Sequence, residues 1–293
     1  MFKRQLCHLE PFRTPRTLQN PSNPSEPLEL FRTPRTLQNP SNPSEPFFPM
    51  FSGTYLFANI PVRIFSIYEE VHLMCADYRT EQEPEVEVST TDEELEEEDK
   101  LSDEQRVLEG LPPCKFSKPY LETLTVYRKI ATAFLERGVL LMHGSVVAVD
   151  GEAYMFTALS GTGKSTHVRL WRKLFGERAV MVNDDKPLVR IGGERAIVYG
   201  TPWDGKHHLS NNIAVPLKAI VVLRRGLENE IHPLTVQEAF PTLLQQSFRT
   251  EDSMVTIRTM QLLSKLSKQV GLYELHCNMD PEAAEVAYQG MNE

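Results

Sequence analysis

Eight residues, Ala158-Leu-Ser-Gly-Thr-Gly-Lys-Ser165, fit the pattern Ala/Gly-x4-Gly-Lys-Ser/Thr. Each part of that pattern suits a phosphate chain. Gly161 and Gly163 let backbone N–H groups turn inward around phosphate oxygens. Lys164 reaches the outer phosphates, and the Ser165 hydroxyl can ligate Mg²⁺. Ser160, Thr162 and Thr166 complete the candidate nucleotide-binding run. A helix starting at Ser165 would add its positive N-terminal end. Twenty residues after Lys164 the chain reads Ala179-Val-Met-Val-Asn-Asp-Asp185. An apolar strand ending in acid is a magnesium-site signature. Two adjacent carboxylates allow two jobs, one near a metal and one accepting a proton from an attacking hydroxyl. Adjacent residues on a strand face opposite ways, so both acids serve one site only if the strand ends there and the chain turns. Pro187 supports that turn, because Lys186 before it is biased away from helix.

These residues need elements to carry them. An apolar strand, Ala153–Thr157, precedes the phosphate loop, and an amphipathic helix, Ser165–Phe175, follows it. Asp150-Gly151 lies between two apolar runs, a two-residue hairpin signal. The strand feeding the loop is therefore expected to pair antiparallel with the one before it. Ordinary phosphate-loop NTPases reach this strand within a mostly parallel sheet, so another architecture is indicated.

Met142-His-Gly, the hairpin, Ser-Gly-Thr-Gly-Lys-Ser and Asn-Asp-Asp, in that order, resemble the catalytic domain of HPr kinase/phosphorylase. Leu-Ser-Gly-Thr-Gly-Lys also resembles ATP-dependent phosphoenolpyruvate carboxykinase. The ordered resemblance covers about residues 140–225. It implies an α/β fold in which the phosphate loop is inserted in a mixed, largely antiparallel β-core with flanking helices. It also implies ATP and Mg²⁺. By position, His143 would approach the phosphates, Lys164 and Ser165 would hold phosphate and metal, and Asp184 and Asp185 would supply base and metal contact, taken here in that order. HPr kinase carries an Arg-Gly-Leu-Gly signature preceded by an acidic metal ligand. Here the comparable stretch is Val198-Tyr-Gly-Thr-Pro-Trp-Asp-Gly-Lys206, so Asp204 and Lys206 are candidate replacements.

The other polar candidates carry weaker signals. Arg224-Arg225 ends an apolar strand and is a candidate anion clamp. His167 reads as structural. His207-His208 has no third ligand at suitable spacing for a metal. Cys277 reads as a small buried hydrophobe, and four cysteines without a Cys-x-x-Cys fit a reducing cytoplasm.

The formal net charge of −9 is local. Residues 81–110 hold 14 Asp/Glu and 2 Lys/Arg, which leaves +3 for the rest. A near-neutral body is a poor nucleic-acid binder by bulk electrostatics. The acidic run reads as a solvated loop or helix face. No apolar run approaches the roughly 18 residues of a membrane span.

Residues 1–49 read as a separate extension. Phe12–Pro27 is repeated residue for residue as Phe31–Pro46, and ten of the chain's 21 prolines fall in residues 1–50. Without apolar periodicity such a segment is expected to be disordered. Met50 opens the well-patterned chain and is a candidate start of translation. From there strands are expected in 53–66, 84–89, 217–223 and 272–276, and helices in 67–78, 120–137, 236–246, 253–270 and 281–291.

The resulting expectation is an ATP-dependent phosphotransferase acting on a hydroxyl, preferentially serine, of a peptide, protein or small molecule. A non-catalytic nucleotide sensor is the rival reading. A carboxykinase-type lyase is disfavoured by length. The oligomeric state is left open.

Overall fold

The structure, a computed structural model, describes residues 51–108, 112 and 114–292. The duplicated Pro-rich extension lies outside the described residues. The chain from Phe51 opens with a hairpin, β1 (Phe51–Phe57) and β2 (Ile60–Ser66). Its turn falls at Ala58-Asn59, both at positive φ, within the 53–66 stretch read as strands. The expected helix over 67–78 is shorter, α1 (Glu70–Met74) followed by one 3-10 turn, Ala76–Tyr78. A short edge strand, β3 (Val86–Ser89), pairs parallel with β2. The acidic run then forms a helix, α2 (Asp92–Leu108). One carboxylate of that run, Glu98, is buried and takes a bidentate pair from Arg128 on α3 (Lys118–Leu135). The acidic segment is therefore a solvated helix held to α3 by ion pairs, Asp92–Lys118 and Glu94–Lys129 at the surface and Glu98–Arg128 at a buried carboxylate suited to arginine's planar fork.

The main sheet is built from β4 (Val139–Leu141), β5 (Ser145–Val149), β6 (Glu152–Thr157), β7 (Ala179–Asn183), β8 (Leu188–Arg190), β9 (Ile197–Tyr199), β10 (Ala214–Arg225), β11 (Glu230–Pro233) and β12 (Gly271–Cys277). Its order is β4-β8-β9-β10-β6-β5-β7, with β12 also on β10 and β11 on β12. Only the β10–β6 and β10–β12 pairings in this sheet are parallel. This is a mixed, largely antiparallel sheet. The β5–β6 hairpin turns at Asp150 (φ 51°) and Gly151 (φ 83°), as the Asp-Gly signal requires.

Helices cover both faces of β6. Tyr154 and Phe156 pack with Val168 and Trp171 of α4 (Lys164–Phe175) and with Ala284 and Ala287 of α7 (Glu282–Gly290). Ala153 and Met155 pack on the opposite side with α5 (Val236–Gln245) and α6 (Ser253–Leu266). A strand buried on both faces reads as a continuous apolar run rather than an alternating one. Burial of that kind leaves little freedom at the end of β6, where the phosphate loop begins. Among the described residues no helix is long and apolar enough to cross a membrane.

Candidate functional site

The phosphate loop leaves β6 and enters α4. Gly161 (φ 75°) and Gly163 (φ 124°) occupy backbone regions that side chains with a Cβ rarely adopt, and nothing crowds either one. Their role is thus conformational. Lys164 opens α4, is largely buried, and donates from Nζ to the Ala158 carbonyl at 3.1 Å. This folds the lysine back across the mouth of its own loop. His167, one turn on, is buried and accepts from Trp171 Nε1 at 3.0 Å, and burial pushes its pKa down to about 3. It is a neutral packing residue, as expected from sequence.

The acids arrive on β7, which ends at Asn183. Asn183 makes the turn. Its Oδ1 accepts from the backbone N–H of Asp185 (2.8 Å) and of Lys186 (2.7 Å), while its Nδ2 donates to the carbonyl and hydroxyl of Thr201. Such an Asx turn competes with strand geometry and ends it. The strict alternation of a strand is thereby broken within one residue. Asp184 is buried and accepts from Ser145 Oγ at 2.6 Å. Ser145 stands there because β5 pairs with β6 on one side and β7 on the other.

Asp184 lines a cavity of about 140 Å³ together with Ser165 and Thr166 of the first turn of α4. Asp185 does not line it. Asp185 faces His143 Nε2 at 3.3 Å and pairs with the Lys186 ammonium. Burial alone would push the Asp185 carboxyl up. The Lys186 charge and the His143 contact outweigh it and hold the carboxyl well below the usual carboxylate range. Burial would likewise lower Lys186, but Asp185 raises it instead. His143 is tied to the loop strand through its carbonyl, which accepts from Thr157 Oγ1 at 2.8 Å.

A depressed carboxyl pKa in the folded state has a definite sign. Asp185 binds its proton more weakly when folded, so its contribution is full above the unfolded carboxyl pKa of about 4 and is lost as pH falls below it. Asp185→Asn should therefore melt lower than wild type at pH 7, and the gap should narrow as the pH drops from 4 toward 2. Melting temperature against pH for both proteins checks this; a gap that stays constant would remove the ion pair from the folded state.

The stretch offering Asp204 and Lys206 packs against the acids. Gly205 (φ 69°) is so close that a Cβ there would lie 3.2 Å from the Asp185 Cβ. Asp204 is buried, burial pushes its pKa up, and His208 Nδ1 stands 3.2 Å away. The Lys206 side chain lies outside what the structure describes. Of the arginine pair, Arg224 is occupied by Glu274 at 2.9 Å. Its neighbour Arg225 reaches the phosphate loop, donating to the Gly161 carbonyl at 2.5 Å and to that of Thr162 at 3.4 Å. Among the described residues no three His, Cys, Asp or Glu side chains converge as a metal cluster.

Ser145, Asn183 and Lys186 are the members to which sequence reasoning gave no part in the site; Arg225, offered as half of an anion clamp, instead meets the carbonyls of the phosphate loop. Asn183 had a local signal, a turn-forming residue at the end of an apolar run. Ser145 had none, since its place beside Asp184 depends on strand pairing.

The family model described as SynChlorMet cassette protein ScmC matches residues 120–282, more than half of the chain. The chain belongs to the ScmC family. The match begins in α3 and ends in α7, so it spans the phosphate loop, both acids and every strand of the main sheet. Among solved structures, this ScmC-family chain is similar to the HPr(Ser) kinase/phosphatase from Coxiella burnetii, at 11% identity and a TM-score of 0.29. That likeness covers 52% of this chain and 99% of the other. At that score the likeness bears no weight, and the architecture rests on the strand order given above. No curated protein matches the sequence.

Proposed function

We propose that this ScmC-family chain binds ATP at the Ser160–Thr166 loop and transfers the γ-phosphoryl group to a hydroxyl. The observation that supports the reading is the shared cavity, lined by Asp184 together with Ser165 and Thr166. In the transfer, the acceptor oxygen bonds to the γ-phosphorus while the bond to the β–γ bridging oxygen breaks and ADP leaves. The hydroxyl proton passes to Asp184, the role assigned to it from sequence. Lys164 and the loop amides stabilise the charge that moves onto the phosphate oxygens.

Hard oxygen donors at the site fit Mg²⁺, which takes one or two protein ligands and fills its shell with phosphate oxygens and water. Ser165 would hold it, and Asp185 would join only by exchanging its Lys186 partner. When bound, Mg²⁺ neutralises charge on the β- and γ-phosphates. His143 and Lys186 would keep Asp185 oriented and ionised. Arg225, on the Gly161 and Thr162 carbonyls, would hold the loop open for phosphate.

Binding of Mg²⁺-ATP to the native state alone should stabilise it by about 2.7 kcal/mol at a ligand concentration 100 times the Kd. Lys164→Ala should lose most of that stabilisation. Thermal melts with and without Mg²⁺-ATP read it directly, and an undiminished shift in the variant would remove the loop from nucleotide binding.

A further inference from the structure

The cavity lined by Asp184 is also lined by basic residues. Arg169 and Arg172, one turn apart on α4, line it with His207. Both guanidinium groups are on exposed residues. Among the described residues neither has an acidic partner, in contrast to Arg128, Arg178, Arg195, Arg224 and Arg258. Arg169 makes one long bond, 3.4 Å, to Thr166 Oγ1. The dipole of α4 accounts for a positive charge in its last turn, where Arg172 and Lys173 lie. It does not account for Arg169 in the helix interior, facing the same cavity. Two cations against one carboxylate leave the space net positive. Arginine's planar donors match carboxylate and phosphate oxygens better than any other side chain does. About 140 Å³ is room for one such group.

We propose that this basic lining recognises an anionic group on the phosphoryl acceptor, a phosphate or a carboxylate, and so sets the acceptor hydroxyl against Asp184. The acceptor class is then an acidic molecule or an acidic segment of a peptide rather than a neutral alcohol. This rests on the phosphotransferase reading and narrows it to a substrate class.

The test uses the full chain and two additions in sequence. A non-hydrolysable ATP analogue with Mg²⁺ is added to saturation, which fills the phosphate loop. Inorganic phosphate, and separately succinate, is then titrated at constant ionic strength while the melting temperature is followed. A second, saturable rise is expected with at least one of them. In the double variant Arg169→Gln, Arg172→Gln that second rise should need at least tenfold more anion. The analogue's own shift should be unchanged, and the unliganded melting temperature should match wild type because both side chains are exposed. An analogue shift with no saturable anion shift overturns the proposal. So does equal anion affinity in the variant. Loss of the analogue shift in the variant also overturns it, by assigning the arginines to the nucleotide. No analogue shift in wild type defeats the nucleotide reading itself, a different result from the other three.

Discussion

Asp184→Asn is expected to lower phosphoryl transfer by about 10²–10⁴-fold, the usual contribution of a positioned general base, while Mg²⁺-ATP still binds. A hydroxyl is a weak nucleophile, so removal of the group that accepts its proton acts on the chemical step. The amide oxygen of the replacement can still accept from Ser145 Oγ, which in the native protein donates to Asp184 at 2.6 Å. The fold around it should therefore hold, and the loss should appear in turnover rather than in stability. Labelled ATP, Mg²⁺ and a lysate of the source cell supply the acceptor, and the labelled product is compared between wild type and variant. Equal turnover in the two would remove Asp184 as the base, and no labelled product in wild type would end the phosphotransferase reading and leave a nucleotide sensor in its place.

The second large effect is on stability, at Trp203. This side chain is 5% exposed and stacks on Tyr127 with ring centroids 3.9 Å apart and planes within 2°. It meets Phe57 edge-on at 5.6 Å and donates from Nε1 to the Thr123 carbonyl at 2.9 Å. One indole therefore joins the β1–β2 hairpin, α3 and the loop after β9. Trp203→Ala should cost about 3–5 kcal/mol, the range for removing a large aromatic from a core. Denaturant unfolding should show it as a lower midpoint, and a loss under about 1 kcal/mol would mean the stack is not formed. Asp204 and Gly205 follow Trp203 directly, so partial loss of nucleotide binding in the variant is also expected.

Much of this was legible along the chain because the signals are local. Two glycines before a lysine specify a loop that only a few backbone conformations satisfy. Asp150-Gly151 specifies a tight antiparallel turn for the same reason, and the structure turns there. The helical faces of α3 and α4 follow from apolar spacing alone. The acidic run shows how far such reading goes. Its charge marked a solvated face, yet which glutamate would be buried depended on Arg128, 30 residues away.

Two of the shortest strands escaped sequence reading. β8 and β9 are three residues each and acquire their identity only by pairing with β4 and β10.

From its sequence alone the chain determined a phosphate loop, the hairpin that delivers its strand, and an acid pair at a strand end. Tertiary structure decided where each acid sits. Asp184 and Asp185 are chemically identical neighbours, so no residue type or spacing can tell them apart. The Asn183 turn and the pairing of β5 with both β6 and β7 send one acid to Ser145 and the cavity it shares with Ser165 and Thr166, and the other to His143 and Lys186. The same holds for Arg224 and Arg225. A strand alternates its side chains, and only the neighbours of β10 determine that one arginine meets Glu274 while the next meets the phosphate loop.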